Sequence, residues 1–291
     1  MRRTAFLMPA YNPRPDELSR SLASMLAQTE PADIVIVDDG SKRPVSELIA
    51  PREGIFVLRL DRNVGITAAL NHGLAWIAER GYDYVARMDC DDLCTPERIA
   101  LQQAHMDANP GLDMVGAFAD VVDETGNHLF FEGTSGGHTA IARKLFDAAA
   151  FKHPTFFYRV ATVARLGAYS ATYPHAEDYE FMRRISARGT IDCLDDVLVI
   201  YEKNSTGISG RHRRRQLWSR LIIQLAYFAP LRPAAWLGAL RTLVTLMVPA
   251  PIWARLARFY WQQRARRKGL AVARSHVFWI GPSIGDIVGL L

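Results

Sequence analysis

Cysteine is scarce. The 291 residues hold three, Cys90, Cys94 and Cys193. An odd, scattered set builds no disulfide framework and fits a reducing compartment. Cys90 and Cys94 alone would make half of a zinc site, but no second pair follows at ligand spacing. A secretory leader is not expected either: in "MRRTAFLMPAYNP" the apolar run ends at Pro9, too short for a signal core. Long uninterrupted apolar stretches are also lacking. "AAWLGALRTLVTLMVPAPIW" contains Arg241 and is broken by Pro249 and Pro251, which disfavours a clean membrane span. The third shortage is local. From Arg211 to Leu291 the only acid is Asp286, against fourteen lysines and arginines, a net charge of +13. The preceding 210 residues hold 21 basic and 29 acidic groups, a net charge of −8.

The chain therefore reads as an acidic body, residues 1–210, and a basic tail, residues 211–291. Hydrophobic content of 49% and charged content of 22% are those of a globular protein. Five of the six tryptophans, Trp218, Trp236, Trp253, Trp261 and Trp279, lie in the tail. Tryptophan favours membrane interfaces and arginine favours lipid phosphates. The tail is thus expected to form helices lying on an anionic membrane surface. A helical subdomain packed on the body and a re-entrant or spanning segment are the alternatives. "RHRRR" comes with no helix-turn-helix, zinc finger or aromatic RNA-binding signature, so nucleic acid is not an expected partner.

The body alternates short apolar strands with amphipathic helices. "TAFLM", "DIVIVDDGS", "IFVLRL", "YDYVARMD" and "DMVGAFADVVD" read as strands. "DELSRSLASMLAQ", "GITAALNHGLAWIAERG" and "TPERIALQQAHMDANPG" read as helices, the last with Thr95 as N-cap and Pro96 at the first helical position. A glycine-rich loop is expected over 126–137, then a helix near 139–149. A strand "PTFFY", helices "RVATVARLG" and "AEDYEFMRRISARG", and a strand "VLVIY" follow. This alternation predicts a mostly parallel sheet with helices on both faces, ligands binding at the carboxyl ends of its strands. Pro9–Asn12, Asp38–Ser41 and Asp89–Asp92 all fall there.

"VARMDCDDLC" drives an apolar strand into Asp89, Asp91 and Asp92. Like charges this close repel, which is tolerated most readily around something positive. In a strand, residues i and i+2 share a face, so Asp89 and Asp91 suit a hard divalent cation, Mg²⁺ or Mn²⁺. Helix capping would account for Asp92 alone. "MPAYNP" leaves Tyr11 free to meet a planar ring. Asp39 in "VDDGS" is placed to accept from a base N–H or to close an Asx turn. Arg62 and Gly65 in "RNVG" precede a helix N-terminus, a reasonable anion site. Glu177 and Asp178 open a helix, where acids also settle for the helix dipole alone.

These pieces in this order resemble the inverting family 2 glycosyltransferases of the GT-A fold, over about residues 4–209. The matching stretches are "MPAYNP", "VIVDDGS", "RNVGITAALNHGL", "MDCDDLCTPERI", "HPTFFYR", "AEDYEFMRRI" and "YEKNSTGIS", the last departing from the family's more basic ending. The resemblance implies Asp178 as catalytic base. It implies Asp91, with Asp89, as holder of a divalent metal and the diphosphate, Asp89 reaching ribose or metal. It also implies a nucleotide pocket of Pro9, Ala10, Tyr11, Asn12 and Asp39, with Arg62 and Gly65 nearby. Glu177 and His153 are assigned to the sugar or acceptor side, His153 being equally open to a structural role. The expected activity is transfer of a sugar from a nucleotide-diphosphate sugar, most simply a UDP-sugar, to a saccharide or lipid-linked acceptor in surface-polysaccharide assembly. The expected location is the cytoplasm, peripheral on the inner face of the cell membrane. The alternatives are a sugar nucleotidyltransferase, for which "MPAYNPRPDE" lacks the glycine-rich basic loop, and a non-catalytic membrane-associated scaffold.

Overall fold

The computed structural model of the chain describes residues 2–203 and 213–248. The expected domain boundary near Arg211, and most of the tail, lie outside these residues. So does "NSTGIS".

β1 (Thr4–Ala10) is buried along its whole length, as an apolar strand covered on both faces must be. It pairs in parallel with β2 (Asp33–Asp38), which pairs with β3 (Ile55–Arg59). On its other side β1 pairs in parallel with β4 (Tyr84–Arg87). Between these strands run α1 (Pro15–Leu26) and α2 (Ile66–Glu79). α1 follows its sequence signals: Pro15 opens it, Asp16 and Glu17 occupy the first turn, and Leu18, Leu22 and Met25 face the core.

Beyond β4 the sheet becomes mixed, which the parallel expectation missed. β8 (Phe157–Arg159) enters antiparallel between β4 and β6 (Met114–Val122). The twelve-residue β9 (Ile191–Glu202) then returns parallel to β6, and the two-residue β5 (Leu93–Cys94) closes the order antiparallel to β9. The glycine-rich stretch is not all loop. β7 (His128–Glu132) forms a hairpin with β6. Its turn is tied by Asp123, whose Oδ1 accepts the backbone N–H groups of Thr125 and Asn127.

Thr95 is not an N-cap. β5 holds this segment against β9, where the Thr95 N–H donates to the Leu198 carbonyl, so α3 (Arg98–Ala108) starts only after Glu97. α4 (Gly137–Lys144) is shorter than expected, and "HPTFFY" divides into a 3₁₀ turn at His153–Thr155 and β8. α5 (Val160–Leu166) and α6 (Glu177–Arg188) follow as expected.

α7 (Arg213–Ala226) and α8 (Pro233–Met247) form an antiparallel pair packed on the body. Gln224 Nε2 on α7 donates to the carbonyls of Phe146 and Asp147 at 3.0 and 3.1 Å. Gly238 on α8 sits against the Phe146 carbonyl, where a Cβ would approach to 1.9 Å. α8 has 15 residues, roughly 22 Å of helix at about 1.5 Å per residue. Among the described residues no helix is long and apolar enough to cross a membrane.

Candidate active site

The site gathers at the carboxyl ends of β1, β2 and β4. β1 runs out through Pro9 and Ala10, both buried, to the exposed ring of Tyr11. Asn12 takes a left-handed conformation (φ 48°). Its N–H donates to Ser41 Oγ at 2.8 Å, and its Oδ1 accepts the Lys42 N–H at 2.8 Å. Asn12 thus ties the end of β1 to the turn after β2.

The two acids of "VDDGS" divide their work. Asp38 is enclosed and structural: it accepts the Ser41 and Val45 N–H groups and a 2.6 Å bond from Arg59 Nη1. Asp39 accepts the Val64 and Gly65 N–H groups at 2.8 and 2.9 Å, one on each oxygen. It therefore seats the "RNVG" loop, and each oxygen keeps a second lone pair. Gly40 (φ 68°) between them is required twice. Its backbone is left-handed, and a Cβ would lie 2.4 Å from the Arg62 carbonyl carbon. Arg62 itself is exposed.

β4 ends at Arg87, so Asp89, Asp91 and Asp92 lie in the turn beyond it rather than on a strand face. Convergence comes from that turn: one oxygen from each acid lies within 4.8 Å of the others. Two unit charges about 4 Å apart repel by roughly 4 kcal/mol at an effective dielectric constant near 20. Burial first, then Asp89, pushes Asp91 up to about 7. Asp92 is pushed well above the carboxylate range by burial and by both neighbours. Asp92 does not cap α3. Its Oδ1 accepts the Glu202 N–H of β9 at 3.0 Å, and its buried Oδ2 has no hydrogen-bond partner among the described residues.

The sequence reading placed a metal among these acids and overlooked a side chain. Arg87 is 1% exposed, and its guanidinium contacts Asp89. Burial opposes the charge, but Asp89 outweighs it and holds the guanidinium firmly protonated. Its Nη1 is the atom that meets Asp89, and its Nε has no hydrogen-bond partner among the described residues. A second buried arginine, Arg98, fixes its backbone by donating from Nη2 to the Arg87 carbonyl at 2.9 Å. An arginine inside the apolar run "YVARM" was the available signal.

The Arg87 field reaches α6. Burial, then Asp178, pushes Glu177 up to about 7, with Arg87 pulling the other way and Asp89 adding to the rise. Glu177 Oε2 is buried and has no hydrogen-bond partner among the described residues. Burial also raises Asp178, countered by the Tyr179 N–H at 2.7 Å and by the charges of Arg87, Lys152 and Arg220. His175, just before, is left-handed (φ 62°). Lys152 bonds Glu132 at 3.2 Å and lies over the Tyr201 ring. The sequence did not single out Lys152, and Tyr201 entered only as the first residue of "YEKNSTGIS". His153 is 8% exposed, its Nε2 meeting the Tyr169 hydroxyl at 2.9 Å and its ring edge-on to Phe156. Burial and Arg87 hold it neutral.

The acid cluster fits a divalent cation by its chemistry: hard oxygen donors, mutual repulsion and an orphaned buried oxygen on Asp92. All three cysteines are free, and those of residues 94 and 193 are buried. A surface cavity of about 630 Å³ lies at the opposite edge of the sheet, lined by Arg2, Arg3, Thr4 and Asp33, far from these groups.

A mixed α/β sheet with flanking helices and acids at its carboxyl edge defines a GT-A-like transferase fold. S. aureus TarS 1-349 in complex with UDP-GlcNAc shares it, with a TM-score of 0.61 at 19% identity, covering 93% of this chain and 76% of that one. Residues 5–165 match Glycosyl transferase family 2, and the chain belongs to that family. It is 32% identical over 215 residues to the amylovoran biosynthesis glycosyltransferase AmsE of Erwinia amylovora, 70% of this chain and 78% of that protein. It is 26% identical over 196 residues to a UDP-Gal:alpha-D-GlcNAc-diphosphoundecaprenol beta-1,3-galactosyltransferase of Escherichia coli, 62% of this chain and 67% of that protein. The chain is therefore a glycosyltransferase, which sets aside the nucleotidyltransferase and scaffold alternatives.

Proposed function

We propose that the chain transfers a sugar, with inversion, from a UDP-sugar to a saccharide or lipid-linked saccharide during surface-polysaccharide assembly. The carrying observation is a converging acid cluster, Asp89, Asp91 and Asp92, with the buried Arg87 against Asp89 and its charge also acting on Glu177 and Asp178 of α6.

Pro9, Ala10, Tyr11, Asn12 and Asp39 form the nucleotide end, with the exposed Tyr11 ring offered to the base and Asp39 to its N–H edge. Arg62 and Gly65 lie beside it on the loop that Asp39 seats. Asp91 and Asp89 would hold Mg²⁺ or Mn²⁺. When bound, the cation neutralises charge on the leaving diphosphate. Asp178 takes the proton from the acceptor hydroxyl as that oxygen attacks the anomeric carbon and the bond to diphosphate breaks. One attack from the opposite face inverts the configuration. Glu177, beside it, faces the sugar or acceptor. His153, packed and neutral, acts by positioning Tyr169 rather than by touching the sugar.

The relatives support the donor and acceptor classes: one is a UDP-Gal:alpha-D-GlcNAc-diphosphoundecaprenol galactosyltransferase and another serves amylovoran biosynthesis. A location at the inner membrane face is supported by the outer faces of α7 and α8, where Trp218, Trp236 and Met247 are 57, 60 and 83% exposed beside several arginines. The test is release of UDP from a UDP-sugar panel with membrane extract as acceptor, with and without Mn²⁺. Release that needs the ion and vanishes in Asp91→Asn supports the reading. Absence of release from every donor overturns it.

A further inference from the structure

α7 does more than cover the body. Between its outer face and the segment leading into α6 lies a groove of about 380 Å³, lined by Pro174, Arg214, Arg215, Trp218, Ile222 and Leu246. Arg214, Trp218 and Ile222 stand at i, i+4 and i+8, and so share one stripe of the helix. Apolar surface from Trp218, Ile222, Pro174 and Leu246 makes up most of the groove, and both arginines stand at one end of the stripe. Neither Arg214 nor Arg215 has an acidic or carbonyl partner among the described residues. The groove is anchored to the reaction centre. Ser219 Oγ donates to the Pro174 carbonyl at 2.8 Å, and Pro174 lies four residues before Asp178. Arg220, on the next turn, acts electrostatically on Asp178 itself.

We propose that this groove is the acceptor's lipid-phosphate subsite, taking a prenyl diphosphate with its diphosphate on Arg214 and Arg215 and its first isoprene units along Trp218, Ile222 and Leu246. The inference rests on the lipid-linked acceptor reading and assigns it a place. Its logic is charge complementarity. A free sugar has no use for two unpaired guanidinium groups beside a hydrocarbon surface, and a bare phosphate has no use for the hydrocarbon surface. An amphiphile with an anionic head satisfies both. A sugar carried on that diphosphate would extend toward Pro174 and the Asp178 carboxylate, the base in the proposed transfer. Trp218 and the exposed Ile222 lie on the outer face of the helix pair, so the remaining lipid leaves the groove toward solvent or a bilayer rather than into the core.

The probe is geranylgeranyl diphosphate below its micelle concentration, measured by equilibrium dialysis against the purified full chain. UDP with Mn²⁺ is present in one arm to block the donor diphosphate site and absent in the other. Saturable binding in the presence of UDP is expected. Arg214→Ala combined with Arg215→Ala should weaken it by about ten-fold or more, as should Trp218→Ser, with melting temperature and UDP affinity unchanged. Inorganic diphosphate, geranylgeraniol and dioctanoyl phosphatidylglycerol should each compete far more weakly than the intact probe. Equal binding by the double variant overturns the proposal. So does equal competition by diphosphate, by the alcohol or by the phospholipid. Failure of the wild type to bind UDP in the arm that contains it would sink the donor reading separately, and the arm without UDP still decides the groove.

Discussion

The Arg87 guanidinium lies against the Asp89 carboxylate, two residues further along the same chain and just past the end of β4. The pair sets the charge balance of the whole site. Truncating Arg87 takes away the buried counter-charge that lies against Asp89, a class of change that costs about 3–5 kcal/mol. Arg87→Met should therefore lower the denaturant midpoint strongly, and Arg87→Lys by less. An unchanged midpoint for the methionine variant would show that the cluster does not depend on this cation.

Asp91 is held where burial and the charge of Asp89 both oppose its ionisation. Asp91→Asn should cut UDP-sugar turnover by roughly a hundred-fold or more, the scale for losing one preorganised electrostatic contact to developing charge. The same change relieves repulsion from Asp89, so without divalent ions the variant should melt a little higher. A gain of about 1 kcal/mol corresponds to roughly 2–3 °C in a chain of this size. Calorimetry in EDTA checks it, and a lower melting temperature would contradict the repulsion argument.

Asp178 is expected to carry the proton transfer. Asp178→Asn should lower kcat by about 10²–10⁴ and leave the UDP dissociation constant within about two-fold. Parallel loss of UDP affinity would move this residue from the base role to donor binding.

Glu177 makes stability depend on pH. Its folded pKa is raised to about 7 by burial and by Asp178, above the ordinary glutamate value near 4.3. The folded state then binds more protons than the unfolded state between these two values, so stability falls as pH rises from about 4.5 to 7. Glu177→Gln should flatten that slope in chemical denaturation at pH 5, 6 and 7. An identical slope in both proteins would remove Glu177 as its source.

Gly238 reports on the docking of α8. A methyl group there meets the Phe146 carbonyl at 1.9 Å, and backbone gives way only at a cost of about 1–3 kcal/mol. Gly238→Ala should lower the melting temperature, and proteolysis should begin nearer to α8. A variant as stable as wild type would mean the helix pair adds nothing to the fold.

Much of the site was legible because its signals are local. Asp89, Asp91 and Asp92 are near neighbours in the chain, and a tight turn gathers them whatever the sheet does. Apolar runs of five or six residues separated by amphipathic helices mark β1 to β4 and α1 to α3 for the same reason. The misreadings share a cause too. Thr95 has an N-cap's sequence, but pairing with β9, about a hundred residues away, keeps it in extended chain. "HLFFE" sits in a glycine-rich stretch and becomes a strand only because β6 offers an edge.

By itself the sequence determined the family, the acid cluster at Asp89, Asp91 and Asp92 and the basic, tryptophan-bearing character of residues 211–291, since residue type and short spacing suffice for each. Only the tertiary structure decided which charge stands among the acids, that Asp92 answers to β9, that Glu177 and Asp178 share a field with Asp89, and that α7 lays an arginine-lined groove beside them. Apart from the Arg87–Asp89 contact, those relations join positions from 45 to 110 residues apart, and tertiary packing, rather than any local periodicity, brings such positions together.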